Sequence, residues 1–199
     1  MASTSSSGQI SVVNPQFCTA YPVDMTIKQK LSTLSKTKYV VTGVNGDILF
    51  QVTGNFFGLH VRRFLLDPAG NTILTLQQSS MSMHSRWEVF RGDSTDYKNL
   101  LFSVKRSNIF QIKTEYDVFM ATNPEENDCC DFKICKKEIY AGNTKNIAIA
   151  QMHNHIGFMS NKYSVTVYPN VDCVFIIALV VIFEEIQSSA RRHNNNGGM

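Results

Sequence analysis

One stretch decides the fold of this chain: Val174-Phe175-Ile176-Ile177-Ala178-Leu179-Val180-Val181-Ile182-Phe183. It is apolar on every side, with Asp172 just before it and Glu184-Glu185 just after it. A bilayer span needs about 17–25 apolar residues, so this run is too short for one. A helix that is hydrophobic all round is enclosed by the rest of its protein. We therefore predict a buried helix.

The flanking residues indicate the limits of this helix. We place it from about Val171 to about Gln187, with Pro169-Asn170 as a stop followed by an N-cap. Asp172 then lies in the first turn and Arg191-Arg192 follow the end, both favourable for the helix dipole. A buried strand is the alternative, because the run is rich in β-branched residues. It fits less well, since the upstream strands alternate apolar with polar positions.

Length and composition indicate one domain with a large core. The chain has 199 residues, of which 43% are hydrophobic, with 13 Phe. Its net charge of +3 is too small to indicate nucleic-acid binding by itself, but it is compatible with an anionic membrane surface. Five irregularly spaced cysteines fit a reducing compartment. No signal sequence is visible, so we expect a soluble intracellular protein.

Upstream of the apolar stretch the sequence reads as a series of hairpins. Asn45-Gly46 between two apolar runs is a strong hairpin signal. Further hairpins turn at Asp67-Pro68-Ala69-Gly70-Asn71 and at Gly92-Asp93-Ser94-Thr95-Asp96. Including a strand at about Phe110 to Phe119, we count eleven or twelve strands.

The size of the helix constrains how these strands enclose it. A helix with its side chains is about 10–12 Å across, whereas the interior of an eight-stranded barrel is filled by its own side chains. We therefore predict a mainly β protein, a closed antiparallel barrel of about twelve strands around the C-terminal helix, because closure also removes sheet edges. The alternative is a β-sandwich with the helix on one face, which does not explain a helix without a polar face.

The predicted organisation has three regions. Residues 1–16 are a flexible leader with little apolar pattern, residues 17–188 are the barrel domain, and residues 189–199 are a disordered tail.

Several motifs resemble those of the plant LURP-one-related family. They are Val44-Asn45-Gly46, Phe57-Gly58-Leu59-His60, Met83-His84-Ser85-Arg86-Trp87-Glu88-Val89-Phe90-Arg91-Gly92, Val104-Lys105-Arg106-Ser107 and Tyr163-Ser164-Val165-Thr166-Val167-Tyr168-Pro169-Asn170-Val171-Asp172. The likeness extends from about Asn14 to Ile186 and so covers nearly all of the chain.

The resemblance implies a tubby-like fold, a barrel of twelve strands around a central hydrophobic C-terminal helix. The wider structural group includes the tubby C-terminal domain, which binds phosphoinositides and can be tethered to membrane, and the phospholipid scramblases. The founding member of the family is linked to plant defence. Scramblases carry an acidic calcium-binding segment before the helix. Here Asp172 is a single carboxylate where calcium needs six to eight oxygens, so we do not expect calcium-driven scrambling.

Basic residues suggest one candidate binding site. Lys105-Arg106 with Lys113 is the densest basic set on predicted strands, with Arg62-Arg63 and Lys136-Lys137 as candidate extensions. Such a cluster holds a lipid headgroup through charge-assisted bonds. The alternative is that these are ordinary solvated positions on outward strand faces. The hypothesis predicts that Lys105→Ala/Arg106→Ala/Lys113→Ala weakens liposome binding.

Three other features have a structural interpretation. His153-x-His155 has a spacing that some metal sites use, but further ligands are missing. Cys129-Cys130, with Cys135 nearby, is a candidate for palmitoylation. We predict instead that these cysteines are ordinary thiols, buried or exposed. Trp87 is predicted to anchor the core from a strand.

The expected function is non-enzymatic. There is no nucleophile elbow, no Gly-rich phosphate loop and no zinc-type Cys/His spacing, so we predict no catalytic residue, metal or cofactor. We expect a binding or regulatory protein of plant defence or stress signalling, related to membrane-tethered tubby-like transcription factors and scramblases. The alternatives are a protein–protein adaptor without a lipid role, and a lipid-scrambling or other enzyme-like activity.

The expected partners follow from that interpretation. They are a phosphoinositide or an anionic membrane surface, or else a protein partner. We expect no transmembrane span, and we recognise no nucleic-acid motif in the sequence. We expect a cytoplasmic monomer, with a peripheral membrane or a nuclear location as alternatives.

Overall fold

The computed structural model describes residues 8–30, 37–54, 61–79, 86–107, 115–123, 129–154 and 162–196. Within them the strands are β1 Val23–Gln29, β2 Thr37–Thr42, β3 Ile48–Gly54, β4 Arg62–Leu66, β5 Thr72–Gln78, β6 Trp87–Arg91, β7 Leu100–Arg106, β8 Glu115–Met120, β9 Phe132–Cys135, β10 Glu138–Ala141, β11 Ile147–Asn154 and β12 Lys162–Val167. The helix α1 is Cys173–Asn196, and single 3-10 turns lie at Pro15–Phe17 and Tyr97–Asn99.

The strands form one closed antiparallel barrel. Each strand pairs with its neighbours in sequence, and β1 closes the ring by pairing with β12. At this seam Met25 lies opposite Val165. The predicted barrel is confirmed, and the sandwich alternative is wrong. The strand predicted from Phe110 is described only from Glu115 onward, since residues 108–114 lie outside the described residues.

Glycines complete the two hairpin turns that the sequence marks most clearly. Gly46 follows Asn45 with a φ of +83°, and Gly70 has a φ of +90°. Residues with a side chain rarely adopt this left-handed conformation, so glycine is favoured at both positions. The first turn is closed by the Gly43 N–H, which donates to the Asp47 carbonyl at 3.0 Å.

The helix α1 is the core of the barrel. Every residue from Val174 to Ile182 is at most 1% exposed. Phe175 packs against Phe102 on β7 and Phe132 on β9, two strands separated by β8, with ring centroids 5.1 and 4.9 Å away. The wall encloses the helix on all sides, which is why no position on this stretch needs to be polar.

By length and composition alone, α1 is long and apolar enough from Cys173 to Arg191 to cross a membrane. We predicted that the apolar run is too short for a span because the run itself has ten residues. The helix that contains it is 24 residues long. Its apolar part is nevertheless already enclosed by the barrel, and a core helix passes the same test of length and composition.

The helix starts later than predicted, because Asp172 and not Asn170 caps it. The Asp172 carboxylate Oδ1 accepts from the backbone N–H of Val174 at 3.0 Å and of Phe175 at 3.1 Å. Asn170 instead lies in a turn with a φ of +63°. The cap therefore lies two residues further along than the sequence indicated.

The helix also ends later than predicted. It continues to Asn196 rather than stopping near Gln187, so residues 189–196 are not the disordered tail that the sequence suggested. In this later part of the helix, Ser189 Oγ donates to the Glu185 carbonyl at 2.9 Å. The sequence has no proline in this segment, and its first glycines are Gly197-Gly198, so nothing breaks the helix earlier.

The predicted leader is docked from Ile10 onward. Ile10 forms a parallel bridge with Val171, and Cys18 forms an antiparallel bridge with Asp172. Val13 is 5% exposed and belongs to the core. The leader was predicted to be flexible because it is polar, but it is bound mainly through its backbone N–H and C=O groups, which carry no sequence signal.

The barrel therefore has two distinct ends. We call the end at which Asp172 caps α1 and residues 10–18 pack the capped end, and the end at which α1 leaves the barrel the exit end. The capped end carries the connections β2–β3, β4–β5, β6–β7, β8–β9 and β10–β11, and the exit end carries the other connections between consecutive strands.

Candidate functional site

Charge is distributed unequally between the two ends of the barrel. Among the described residues, the exit end carries twelve basic side chains, which are Lys28, Lys30, Lys38, Arg62, Arg63, Arg86, Lys105, Arg106, Lys136, Lys137, Lys162 and Arg191. Its acidic side chains are Glu88, Glu138, Glu184 and Glu185. The exit end thus has a formal excess of eight positive charges within the described part of the chain.

The capped end has the opposite sign. Its described acidic residues are Asp24, Asp47, Asp67, Asp93, Asp96, Asp131 and Asp172, and its described basic residues are Arg91 and Lys98. Lys133 and Asp117 pair with each other in the wall, 2.7 Å apart, and Glu115 pairs with Lys145, 2.5 Å away, so these four residues favour neither end. The barrel therefore has an electrostatic dipole along its axis, with the exit end positive.

The structure separates the predicted basic set. Lys105 and Arg106 are neighbours on β7, so their side chains lie on opposite faces of the wall. Lys105 Nζ lies 4.6 Å from the centroid of the Phe119 ring. Arg106 is exposed and lies opposite Tyr116 at the rim of the exit end. Lys113 lies outside the described residues. Lys105 and Arg106 therefore lie at the same end of the barrel but on opposite faces of its wall.

A buried ion cluster closes the interior just below the exit end. The Glu185 carboxylate, whose side chain is 3% exposed, accepts from Arg63 Nε at 3.1 Å and Arg63 Nη2 at 2.9 Å. It also accepts from the Tyr39 hydroxyl at 2.9 Å and pairs with Lys38 Nζ. A Cβ at Gly54 would lie 3.1 Å from Arg63 Nη1, so the glycine makes room for the guanidinium.

The pKa values of the neighbouring acids Glu184 and Glu185 are shifted in opposite directions. Burial would raise the pKa of the Glu185 carboxyl, but the hydrogen bonds and charges of Arg63 and Lys38 outweigh burial and hold that pKa below its ordinary value of 4.5. For Glu184 burial prevails and raises the pKa, although Tyr163 and Arg191 oppose it. Burial and the bond to Glu184 raise the pKa of Tyr163 to about 12.

A cleft of about 500 Å³ lies where α1 leaves the barrel. Within the described residues it is lined by Lys136, Lys137, Met152, Tyr163, Phe183, Glu184, Gln187 and Arg191. Of these, we proposed Lys136-Lys137 alone from the sequence as binding residues, and we named Phe183, Glu184, Tyr163 and Arg191 for other reasons. The acidic pair that directly follows an apolar run was the available signal for Glu184, because a carboxylate there must lie where the helix leaves the core.

A second cleft, of about 530 Å³, lies at the capped end between the N-terminal segment and the β3 and β5 strands. One of its lining residues, Arg91, donates from Nη1 to the Val13 carbonyl at 2.7 Å. This contact holds the N-terminal segment in place and is structural.

The remaining predicted features lie apart from both clefts. Trp87 is 1% exposed in the core, as predicted. Cys129 is exposed, and Cys130 is buried with its pKa raised by burial to about 11. His153 is exposed, and His155 lies outside the described residues. Among the described residues no group of three or more His, Cys, Asp or Glu could hold a metal ion.

Comparison with known proteins places the chain in a family. The family model described as LURP-one-related matches residues 23–184. The chain is similar to Protein LURP-one-related 15 of Arabidopsis thaliana, with 44% identity covering 90% of this chain and 87% of that protein. It is also similar to Protein LURP1 of Arabidopsis thaliana, with 40% identity covering 89% of this chain and 90% of that protein.

A solved structure supports the same assignment. An X-ray structure of an Arabidopsis thaliana protein matches with a TM-score of 0.70 and 39% identity, covering 89% of this chain and 98% of that one. The names of these relatives state no enzymatic role. The family model covers the barrel and the first half of α1, as far as Glu184. The chain belongs to the LURP-one-related family.

Proposed function

We propose that this protein is a non-enzymatic binding module of plant defence or stress signalling that docks its exit end on an anionic membrane surface, with phosphoinositides as the favoured lipids. The observation that carries the proposal is the charge difference between the two ends of the barrel. A relation to membrane-tethered tubby-like transcription factors and to scramblases is part of the same proposal.

The charge difference supports docking in one orientation. A basic residue near an anionic membrane contributes about 1 kcal/mol, an attraction that falls off within a Debye length of the surface. The exit end presents exposed basic residues, including Arg106, Lys136 and Lys137. The acidic capped end would be repelled by the same surface, so the module would approach with its exit end first.

The contacts of Asp172 favour a membrane-binding role over calcium-driven scrambling. Asp172 is 0% exposed. Its oxygens accept from four backbone N–H groups, those of Val13, Asn14, Val174 and Phe175. A carboxylate used in this way cannot also serve as a calcium ligand without breaking the helix cap.

Vesicle co-sedimentation tests the proposal. The protein should pellet with phosphatidylcholine vesicles that contain phosphatidylserine or a phosphoinositide, and it should stay in solution with phosphatidylcholine alone. Raising the ionic strength from about 0.1 M to about 1 M shortens the Debye length from about 10 to about 3 Å and should release the protein. Binding that persists at high salt, or equal binding to neutral vesicles, would contradict an electrostatic docking surface.

Two single variants test which basic residues take part. Arg106→Ala should weaken binding to anionic vesicles about fivefold, the equivalent of about 1 kcal/mol. Lys105→Ala should have a smaller effect, because that ammonium group packs on the outer wall over Phe119. Vesicle titration measures the affinity of both variants. A larger loss of affinity in Lys105→Ala than in Arg106→Ala would mean that the side wall of the barrel, and not its exit end, is the membrane-binding surface.

A protein–protein adaptor is the second candidate, and one observation favours it. Tyr21, Val44, Ile48, Tyr97 and Ile147 are large exposed hydrophobic side chains at the capped end, with Val44 78% exposed. Such residues can mark a protein contact when they lie close together. A specific partner recovered from lipid-free plant extract, and lost with Val44→Ser/Ile147→Ser, would support the adaptor. Equal recovery with the variant would remove it.

A further inference from the structure

We infer that the cleft at the exit end binds a small amphipathic organic anion from solution, whose ring or chain lies on Met152 and Phe183 and whose acid group lies between Lys137 and Arg191. This binding differs from the membrane docking proposed above, although Lys136 and Lys137 belong to both surfaces. It requires one ligand molecule and no bilayer.

The floor of the cleft is apolar and well fixed. Met152 is 2% exposed, and its backbone N–H donates to the Lys137 carbonyl at 2.7 Å. The Phe183 ring is held by an edge-to-face contact with Tyr116, with ring centroids 5.9 Å apart. A thioether and an aromatic ring form a surface that favours an apolar ring or chain over a fully hydrated headgroup.

The rim of the cleft supplies the cations. Lys136 and Lys137 form the tight turn between β9 and β10, where Lys136 has a φ of +56°. Both lysines are exposed, and within the described part of the chain neither pairs with a carboxylate. Arg191 donates from Nε to the Gln187 carbonyl at 3.3 Å, which holds its guanidinium beside the cleft.

One acid limits the charge that the cleft accepts. Glu184 Oε2 lies 3.6 Å from Arg191 Nη2, and the Glu184 side chain is 5% exposed. With Glu184 ionised, the three cations leave the lining with a formal charge of +2, which suits a ligand with one acid group. Small-molecule sites are typically about 300–1,000 Å³, a range that includes this cleft of about 500 Å³.

Anilinonaphthalene sulfonate (ANS), an amphipathic anion that fluoresces in apolar surroundings, is the direct probe. The folded full-length protein should bind ANS saturably at one site in the absence of lipid. Octanesulfonate should displace it, and octanol, which has the same chain without the charge, should not. Displacement by both to the same extent, or ANS fluorescence that rises only as the protein unfolds, would overturn the inference.

Two variants with the same loss of charge locate the site. Lys137→Gln should weaken ANS binding about tenfold, because it removes a charge-assisted contact. Lys162→Gln removes one charge from the same end but does not line the cleft, and it should change the affinity by less than about twofold. Equal weakening by the two variants would mean a diffuse attraction and no site. The ANS measurements contain no lipid, so their outcome does not depend on whether the protein binds vesicles. The ligand-binding and membrane-docking proposals can therefore fail independently.

Discussion

Glu185→Gln is expected to lower the free energy of unfolding by about 3–5 kcal/mol, because removing one partner from a buried ion cluster leaves the others uncompensated. Arg63 and Lys38 would remain beside a neutral amide, with side chains only 11% and 17% exposed. Urea unfolding at pH 7 measures the change, and the slope of the free energy against urea should stay unchanged.

The adjacent acid provides a matched control for this variant. Glu184 is buried almost as deeply as Glu185, at 4% and 2% exposed. Because burial raises the pKa of Glu184, its ionised form is unfavourable in the folded protein, and Glu184→Gln should be neutral or slightly stabilising at pH 7. An equal loss of stability in the two variants would contradict the assignment of the cluster to Glu185.

The pH dependence should also distinguish the two acids. The lowered pKa of Glu185 contributes stability that is fully present above the ordinary value of 4.5 and is lost as the pH falls through the folded-state pKa. The difference in free energy of unfolding between the wild type and Glu185→Gln should therefore become smaller below about pH 4.5. The raised pKa of Glu184 has the opposite sign, so its contribution grows as the pH falls.

Asp172→Ala is expected to cost about 2–5 kcal/mol and to loosen both the helix start and the N-terminal segment. Loss of an N-cap costs about 0.5–2 kcal/mol, and each buried N–H left without an acceptor costs about 1–3 kcal/mol. The N–H of Val13, which donates to Asp172 Oδ2 at 2.7 Å, is the buried donor on the N-terminal side.

Hydrogen exchange locates this effect. In Asp172→Ala the amides of residues 10–18 should exchange faster than in the wild type. Asp172→Asn should be intermediate, because asparagine caps helices as well as aspartate but offers one acceptor oxygen. Unchanged protection of residues 10–18 in the alanine variant would mean that Asp172 does not hold the N-terminal segment.

The sequence was sufficient for the architecture and insufficient for the ends of the helix. The enclosed helix follows from a run without a polar face, and the hairpins follow from turn residues such as Asn45-Gly46. The cap could not be located, because Asn170 and Asp172 are equally good capping residues. Asp172 caps the helix since its second oxygen binds Val13 and Asn14, a contact between segments about 160 residues apart.

The candidate site was less predictable for a related reason. Lys105-Arg106 is prominent in the sequence, but alternation along β7 separates the two side chains. Basic residues far apart in the sequence, such as Lys137 and Arg191, line the same cleft because the β9–β10 turn and the later part of α1 lie at one end of the barrel. A signal was available in the turns, because those around Asp47, Asp67 and Asp96 are acidic and must share one end of a barrel built from hairpins.

The most direct measurement of the central claim compares one charge reversal at each end. Lys137→Glu changes the exit end. Lys98→Glu changes the capped end, at an exposed lysine whose carboxylate partner among the described residues is the exposed Asp96, 3.0 Å away. Both variants change the net charge equally. In titrations with phosphatidylserine vesicles, Lys137→Glu should weaken binding at least tenfold, about 1.4 kcal/mol or more, and Lys98→Glu should leave it within about twofold. Equal losses, or a larger loss from Lys98→Glu, would contradict the claim that the exit end is the functional surface.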